Sequence, residues 1–179
     1  FGTLIAFVGI IHPTGFGWME DAKMLVQNGL LAIGAIILSG WVNDKLILPG
    51  VQNTKEIIEG KKVSVGIVEL ATYIATGLIF ASAVGGPLGG LVENLGWFVA
   101  GQATLIILAF CYRGIVRGAH QAIYGGNVAC AISLAGFLLS GGYALSTAIG
   151  HAHEVAQVPL YMGTWLLFIL AIELLLNYV

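Results

Sequence analysis

Two carboxylates and one amide stand inside long apolar runs, and four histidines stand at the ends of such runs. Glu69 lies about six residues into the run that begins at 63, about 9 Å below its start at 1.5 Å per helical residue. An ionisable side chain at that depth is costly in hydrocarbon and is a functional candidate for that reason. Glu173 enters the last run from the opposite side and reaches a similar depth by the same count. If their helices are adjacent, the two carboxylates could bind a cation or relay protons. The competing role is packing, each acid hydrogen-bonded to a neighbour such as Thr72. Gln102, nearer the opposite face in the third run, is expected to join helices by hydrogen bonding.

Neutral imidazole can ligate a haem iron or a chlorophyll magnesium. His120, His151 and His153 are the candidate ligands, and His151 and His153 fall on one turn; His12 lies in an earlier connector. No third ligand stands at metal spacing, so no metal site is expected. Cys111 and Cys130 lack the spacing of a metal or redox motif and read as small buried hydrophobes. The 26 glycines include no phosphate loop in a strand-to-helix context. No nucleophile, base and acid set can be nominated, so no catalytic residue and no enzyme is expected.

The elements that would position these residues follow from composition. Apolar residues make up 58% of the chain and charged residues 9%, with a mean hydropathy of +0.94, far from the roughly 25% charged of soluble domains. The apolar runs match a helix across the roughly 30 Å hydrocarbon core, and ten-residue alternating barrel strands are absent. The expected fold is all-α, a polytopic helical membrane protein with spans near 26–48, 63–84, 95–112, 128–149 and 159–179. The run at 1–11 is too short to span and reads as the tail of an upstream helix or an interfacial piece. Phe1 is not an initiator methionine, and the last run is still apolar at Val179, as in a piece of a longer chain. Between spans one and two, Asn53 and Glu56 have the form of a helix start, predicting a short amphipathic surface helix.

Lys45, Lys55, Lys61 and Lys62 lie between spans one and two, and Arg113 and Arg117 between three and four. The connectors after spans two and four hold none, so six of the seven cations fall on one side. The positive-inside rule puts that side toward the cytoplasm, stroma or matrix, in a bacterial inner membrane or an organelle membrane of plastid or mitochondrial type. Small residues at every fourth position, Ala71 and Ala75 in span two and Gly136, Ser140 and Ala144 in span four, predict close helix packing. Spans two and four should be inner helices, and the leucine-rich spans one and five should face lipid or another subunit.

The stretch from Gly60 to Gly86 returns 65 residues on, with Gly60/Gly125, Val63/Val128, Ile67/Ile132, Gly77/Gly142, Ala83/Ala148 and Gly85/Gly150 in register. This is a parallel repeat of a two-helix transmembrane hairpin. Leu134 stands in the second copy where Glu69 stands in the first. The paired signatures, Gly60-Lys61-Lys62-Val63-Ser64 to Gly85-Gly86 and Gly125-Gly126-Asn127-Val128-Ala129 to Gly150, resemble the membrane family catalogued as domain of unknown function 350, tandem-domain type. The resemblance implies four helices in two hairpins per domain and carries over no catalytic residue. The asparagine opening each second helix is present as Asn127 and replaced by Lys62. The expected division is a leading segment and connector at 1–25, a four-helix domain at 26–151, and at 152–179 a connector and the first helix of a second domain.

The expected function is a non-enzymatic structural or accessory subunit that packs in a larger membrane complex or a homo-oligomer. The alternatives are an ion or proton channel or transporter using Glu69 and Glu173, and a subunit holding chlorophyll or haem in a photosynthetic or respiratory complex. Expected partners are the bilayer and other membrane subunits or further copies, and no nucleic acid.

Overall fold

A computed structural model describes residues 2–10, 17–48, 57–85, 90–151 and 157–178. Within these the chain is helical and contains no strand: α1 Gly2–Ile10, α2 Trp18–Leu46, α3 Val63–Gly85, α4 Leu91–Ile115, α5 Ala119–Tyr124, α6 Val128–Gly150 and α7 Gln157–Tyr178. Four helices are long and apolar enough to cross a membrane, α2, α3, α4 from Val92, and α6. The chain is a multi-pass integral membrane protein. The fifth expected span coincides with α7. The proposed surface helix at Asn53 and Glu56, with Lys55, and the histidines His12 and His153 lie outside the described residues.

Local chemistry sets the helix ends. α2 begins eight residues before the expected span, after Gly17 at φ +116°, with Glu20 and Asp21 in its first turn. Acids are favoured there by the partial positive charge of a helix start. α4 begins at Leu91, where the Glu93 carboxylate accepts from the Gly90 amide at 2.8 Å. α6 is capped by Asn127, whose Oδ1 accepts from the Cys130 amide at 3.0 Å. At the equivalent start of α3, Lys62 cannot serve this way. Its neighbour Lys61 holds φ +50°, in register with Gly126 at φ +92°. A left-handed residue other than glycine costs about 1 kcal/mol. Lys61→Gly is therefore expected to stabilise the protein, by up to about 1 kcal/mol, and Gly126→Lys to destabilise it by a similar amount. Thermal unfolding of the two purified variants checks this.

The core is the pairing of α3 with α6, which run in the same direction. Their N-termini meet: Ser64 Oγ donates to the Ile123 carbonyl at 2.7 Å, and the Lys62 ammonium sits over the Tyr124 ring at 3.9 Å. Along these two helices Val65, Val68, Ala75, Ile79, Leu134, Leu138, Leu145 and Ile149 are buried. Its tightest point is Gly142, where a Cβ would come within 2.5 Å of the Ala75 methyl and 2.8 Å of the Ala75 Cα. α1 docks on the middle of α3, with Gly2 in backbone contact at Tyr73 and Gly77. α4 packs on both core helices and α7 on α6 and α4. The inner position expected for spans two and four is the position of α3 and α6, the two most buried of the four spans, with α2 the least buried.

The small-residue stripe is divided between two faces. Ala71, Ala75 and Ala144 are buried, whereas Gly136 and Ser140 are exposed, and a Cβ on Gly136 would meet nothing within 4 Å. Residues four apart advance by about 40° more than a full turn, so a stripe of three such residues rotates by about 80° off the interface. The close crossing is made by Gly142 and Ala75 instead.

Candidate functional site

Asn43 on α2, Thr76 on α3 and Gln102 on α4 converge in the interior, at 3%, 0% and 8% exposure. Asn43 Nδ2 donates to Thr76 Oγ1 at 3.3 Å and to Gln102 Oε1 at 3.4 Å, and Thr76 Oγ1 donates to Gln102 Oε1 at 3.4 Å. Gln102 thus joins helices as expected of an amide in hydrocarbon, where each such bond contributes about 0.6 kcal/mol and at most about 2. The spans containing Asn43 and Thr76 are separated in sequence, so their partnership could not be read from spacing. Two atoms of the clasp, Asn43 Oδ1 and Gln102 Nε2, have no hydrogen-bond partner among the described residues.

The clasp fixes the relative depth of three helices. Thr76 follows the start of α3 by 13 residues and Gln102 precedes the end of α4 by 13, whereas Asn43 precedes the end of α2 by only three. Along the helix axes, the last turn of α2 therefore stops short of the neighbouring ends of α3 and α4. Arg113 closes that recessed end. Its Nη1 donates to the Leu46 carbonyl at 3.1 Å and to the Ile47 carbonyl at 3.5 Å, occupying acceptors that a helix end leaves without partners. A cation is also favoured by the partial negative charge of a helix C-terminus. The sequence marked Arg113 as a loop cation at the surface; it belongs to the last turn of α4 and reaches back to α2.

Beside the recessed end lies a cavity of about 10 Å³, lined by Gly40, Asn43, Asp44, Ile47, Leu48, Val68, Glu69, Thr72 and Tyr73. Its size is that of one water position. Glu69 thus faces α2, and the second acid at the cavity is Asp44, which the sequence placed near the end of a span without assigning it a role. Thr72 is not the acid's hydrogen-bond donor: its Oγ1 donates to Val68 of its own helix at 2.8 Å. The expected partner Glu173 is on α7, a helix that packs mainly on α6 and α4, and its side chain lies outside the described residues. On the side of α3 that carries Glu69, the cavity lining among the described residues comes from α2 and α3.

The remaining candidates are dispersed. His120, on α5, is half-buried with no hydrogen-bond partner for Nδ1 among the described residues, and His151 is exposed with Nδ1 3.1 Å from the Thr147 carbonyl. They flank opposite ends of α6, 23 residues long, or about 35 Å, so one cofactor could not take both. Among the described residues no group of three His, Cys, Asp or Glu side chains could hold a metal ion.

The cations gather at the end of the bundle where α3 and α6 begin. Lys45 sits over Trp41 at 3.6 Å, Lys62 over Tyr124 at 3.9 Å and Arg113 over Phe110 at 4.8 Å. Each charge is seated on an aromatic ring, a pairing suited to the membrane interface.

Compared with known proteins, the chain is matched twice by the family described as Domain of Unknown Function (DUF350), over residues 1–84 and 87–179, as two tandem copies. Neither a curated protein nor a solved structure matches it.

Proposed function

We propose, taking as premise that the chain belongs to the family described as Domain of Unknown Function (DUF350), that it is a non-enzymatic scaffold subunit. It packs through its outer helix faces with further copies of itself or with other subunits of a membrane assembly. One observation carries this reading. α6 is one of the two innermost helices, yet it leaves Ile132, Gly136, Ser140 and Tyr143 uncovered. Small residues at Gly136 and Ser140 let another helix backbone approach closely in lipid, where packing rather than apolar burial drives association. The interior supports the same role, because its buried amides and hydroxyl are engaged in fastening α2, α3 and α4. The membrane is of the bacterial inner or plastid or mitochondrial type, with the cation-rich end toward the cytoplasm, stroma or matrix.

The test is cysteine crosslinking in native membranes. In a Cys111→Ser, Cys130→Ser background, Gly136→Cys and Ser140→Cys are expected to form crosslinked species with a second copy or a defined partner. Val99→Cys, exposed on α4, serves as the control and should react far less. A mild-detergent particle with the mass of one chain, and no crosslink from either α6 position, would refute the assembly role.

A further inference from the structure

We infer that the groove beside the start of α3 is a binding site for one anionic phospholipid, its phosphate on Lys61 and Lys62 and an acyl chain along the apolar wall below them. The groove has a volume of about 410 Å³, within the roughly 300–1,000 Å³ of clefts that hold small molecules. Besides the two lysines, its lining among the described residues is Ile57, Val63, Gly66, Ile67 and Leu70. The last four follow the i, i+3, i+4, i+7 spacing of one helix face. That wall descends about 10 Å from the lysines toward the bilayer interior, at 1.5 Å per residue. Ile57 stands across from Gly66, whose missing side chain leaves the floor open: a Cβ there would meet only the Ile57 side chain, at 3.9 Å. No acid lines the groove among the described residues.

The internal repeat shows these features to be particular to the first copy. In the second, Val63 and Ile67 recur as Val128 and Ile132, but Lys61 and Lys62 give way to Gly126 and Asn127, and Ile57 and Leu70 to Ala122 and Ala135. Both the cations and the two largest side chains of the wall are therefore absent there, and Ala131, in register with Gly66, is fully buried. Lys61 also holds φ +50° where Gly126 holds +92°, and backbone strain of this kind gathers at ligand sites. Lys61 is exposed, so its ammonium, a compact charge on a flexible stem, can take a phosphate at the mouth of the groove. The Lys62 ammonium, over the Tyr124 ring at 3.9 Å, adds positive potential at the same level. The apolar wall accepts an acyl chain under any headgroup. Selection comes from the paired cations, which favour a net negative headgroup as basic pockets at the membrane surface do. With no acid in the described lining, a choline or ethanolamine ammonium gains nothing there. The site is independent of how the outer faces assemble.

The experiment is native mass spectrometry of the full chain, released from detergent micelles that contain phosphatidylglycerol and phosphatidylcholine in equal amounts. The wild-type protein is expected to retain one phosphatidylglycerol, with a preference over phosphatidylcholine of about tenfold or more. Lys61→Gly combined with Lys62→Gln should abolish the preference. Lys61→Gly alone should weaken it while raising the melting temperature, because it relieves the backbone strain, so the loss of lipid is not a loss of fold. Gly66→Leu keeps both charges and fills the floor of the groove, and it should lower phosphatidylglycerol retention as far as the double variant does. Arg117→Gln, at the same end of the bundle but outside the groove lining, should leave the preference unchanged. Equal retention of the two lipids by the wild-type protein would overturn the proposal. A preference that survives Gly66→Leu would overturn it in favour of charge spread over that end of the bundle. A Gly66→Cys crosslink to a second chain, with no lipid retained, would overturn it by giving the groove to a neighbouring helix.

Discussion

Gly142→Ala is expected to lower stability by about 2 kcal/mol, or about 4–8 °C in melting temperature for a chain of this length, although alanine is a better helix former than glycine. The reason is the crossing of α3 and α6. An added Cβ would stand 2.5 Å from the Ala75 methyl and 2.8 Å from the Ala75 Cα, and the second of these is backbone that no rotamer change can move aside. The helices must separate, and with them the neighbouring contacts of Ile79 with Gly101 and of Leu108 with Gly141 loosen. In lipid the loss is not offset by a hydrophobic drive to reclose, because tails fill the gap as readily as side chains. Gly142→Leu should be worse, and Gly136→Ala, where nothing lies within 4 Å, should be neutral for the folding of the single chain. Thermal unfolding in nanodiscs distinguishes the three. Equal melting of Gly142→Ala and wild type would mean that the two helices part at this crossing without cost.

Arg113→Leu is expected to cost about 2–3 kcal/mol, the range for hydrogen bonds from a charged donor. The guanidinium donates to two carbonyls at the recessed end of α2, which no later turn of that helix can satisfy. Its loss leaves those acceptors without a partner and removes the cation beside a recess lined by Asp44 and Glu69. Arg113→Lys should recover part of the stability, since an ammonium keeps the positive charge and can still donate to a carbonyl at the end of α2. Hydrogen exchange sharpens the measurement. Protection in the last turn of α2 should fall in Arg113→Leu while the α3 and α6 interior stays protected. Uniform loss across all helices would mean that Arg113 supports the whole bundle rather than the end of α2.

The four apolar spans and the hairpin repeat were legible from the amino-acid order because a membrane imposes a length and a hydropathy on any helix that crosses it. The gathering of the cations at one end was legible for a related reason, since charge is excluded from hydrocarbon and each odd connector returns to the same side. Gln102 as a joining residue and the inner position of α3 and α6 also follow from such one-helix properties. What one helix cannot state is which way it is rotated and what lies opposite. The stripe of Gly136, Ser140 and Ala144 has the right spacing for a contact, but only the rotation of α6 sends Gly136 outward and Gly142 against Ala75. Glu69 announced itself by depth, yet its company was decided by α2, whose last turn stops short of its neighbours and brings Asn43 and Asp44 to the same cavity. Arg113 resembled any interfacial arginine until the end of α2 lay beneath it. Depth, sidedness and helical length are set by the solvent and so are written in composition. Rotation, register and the partner across a crossing are set by side chains from distant parts of the chain, and only their packing chooses among them.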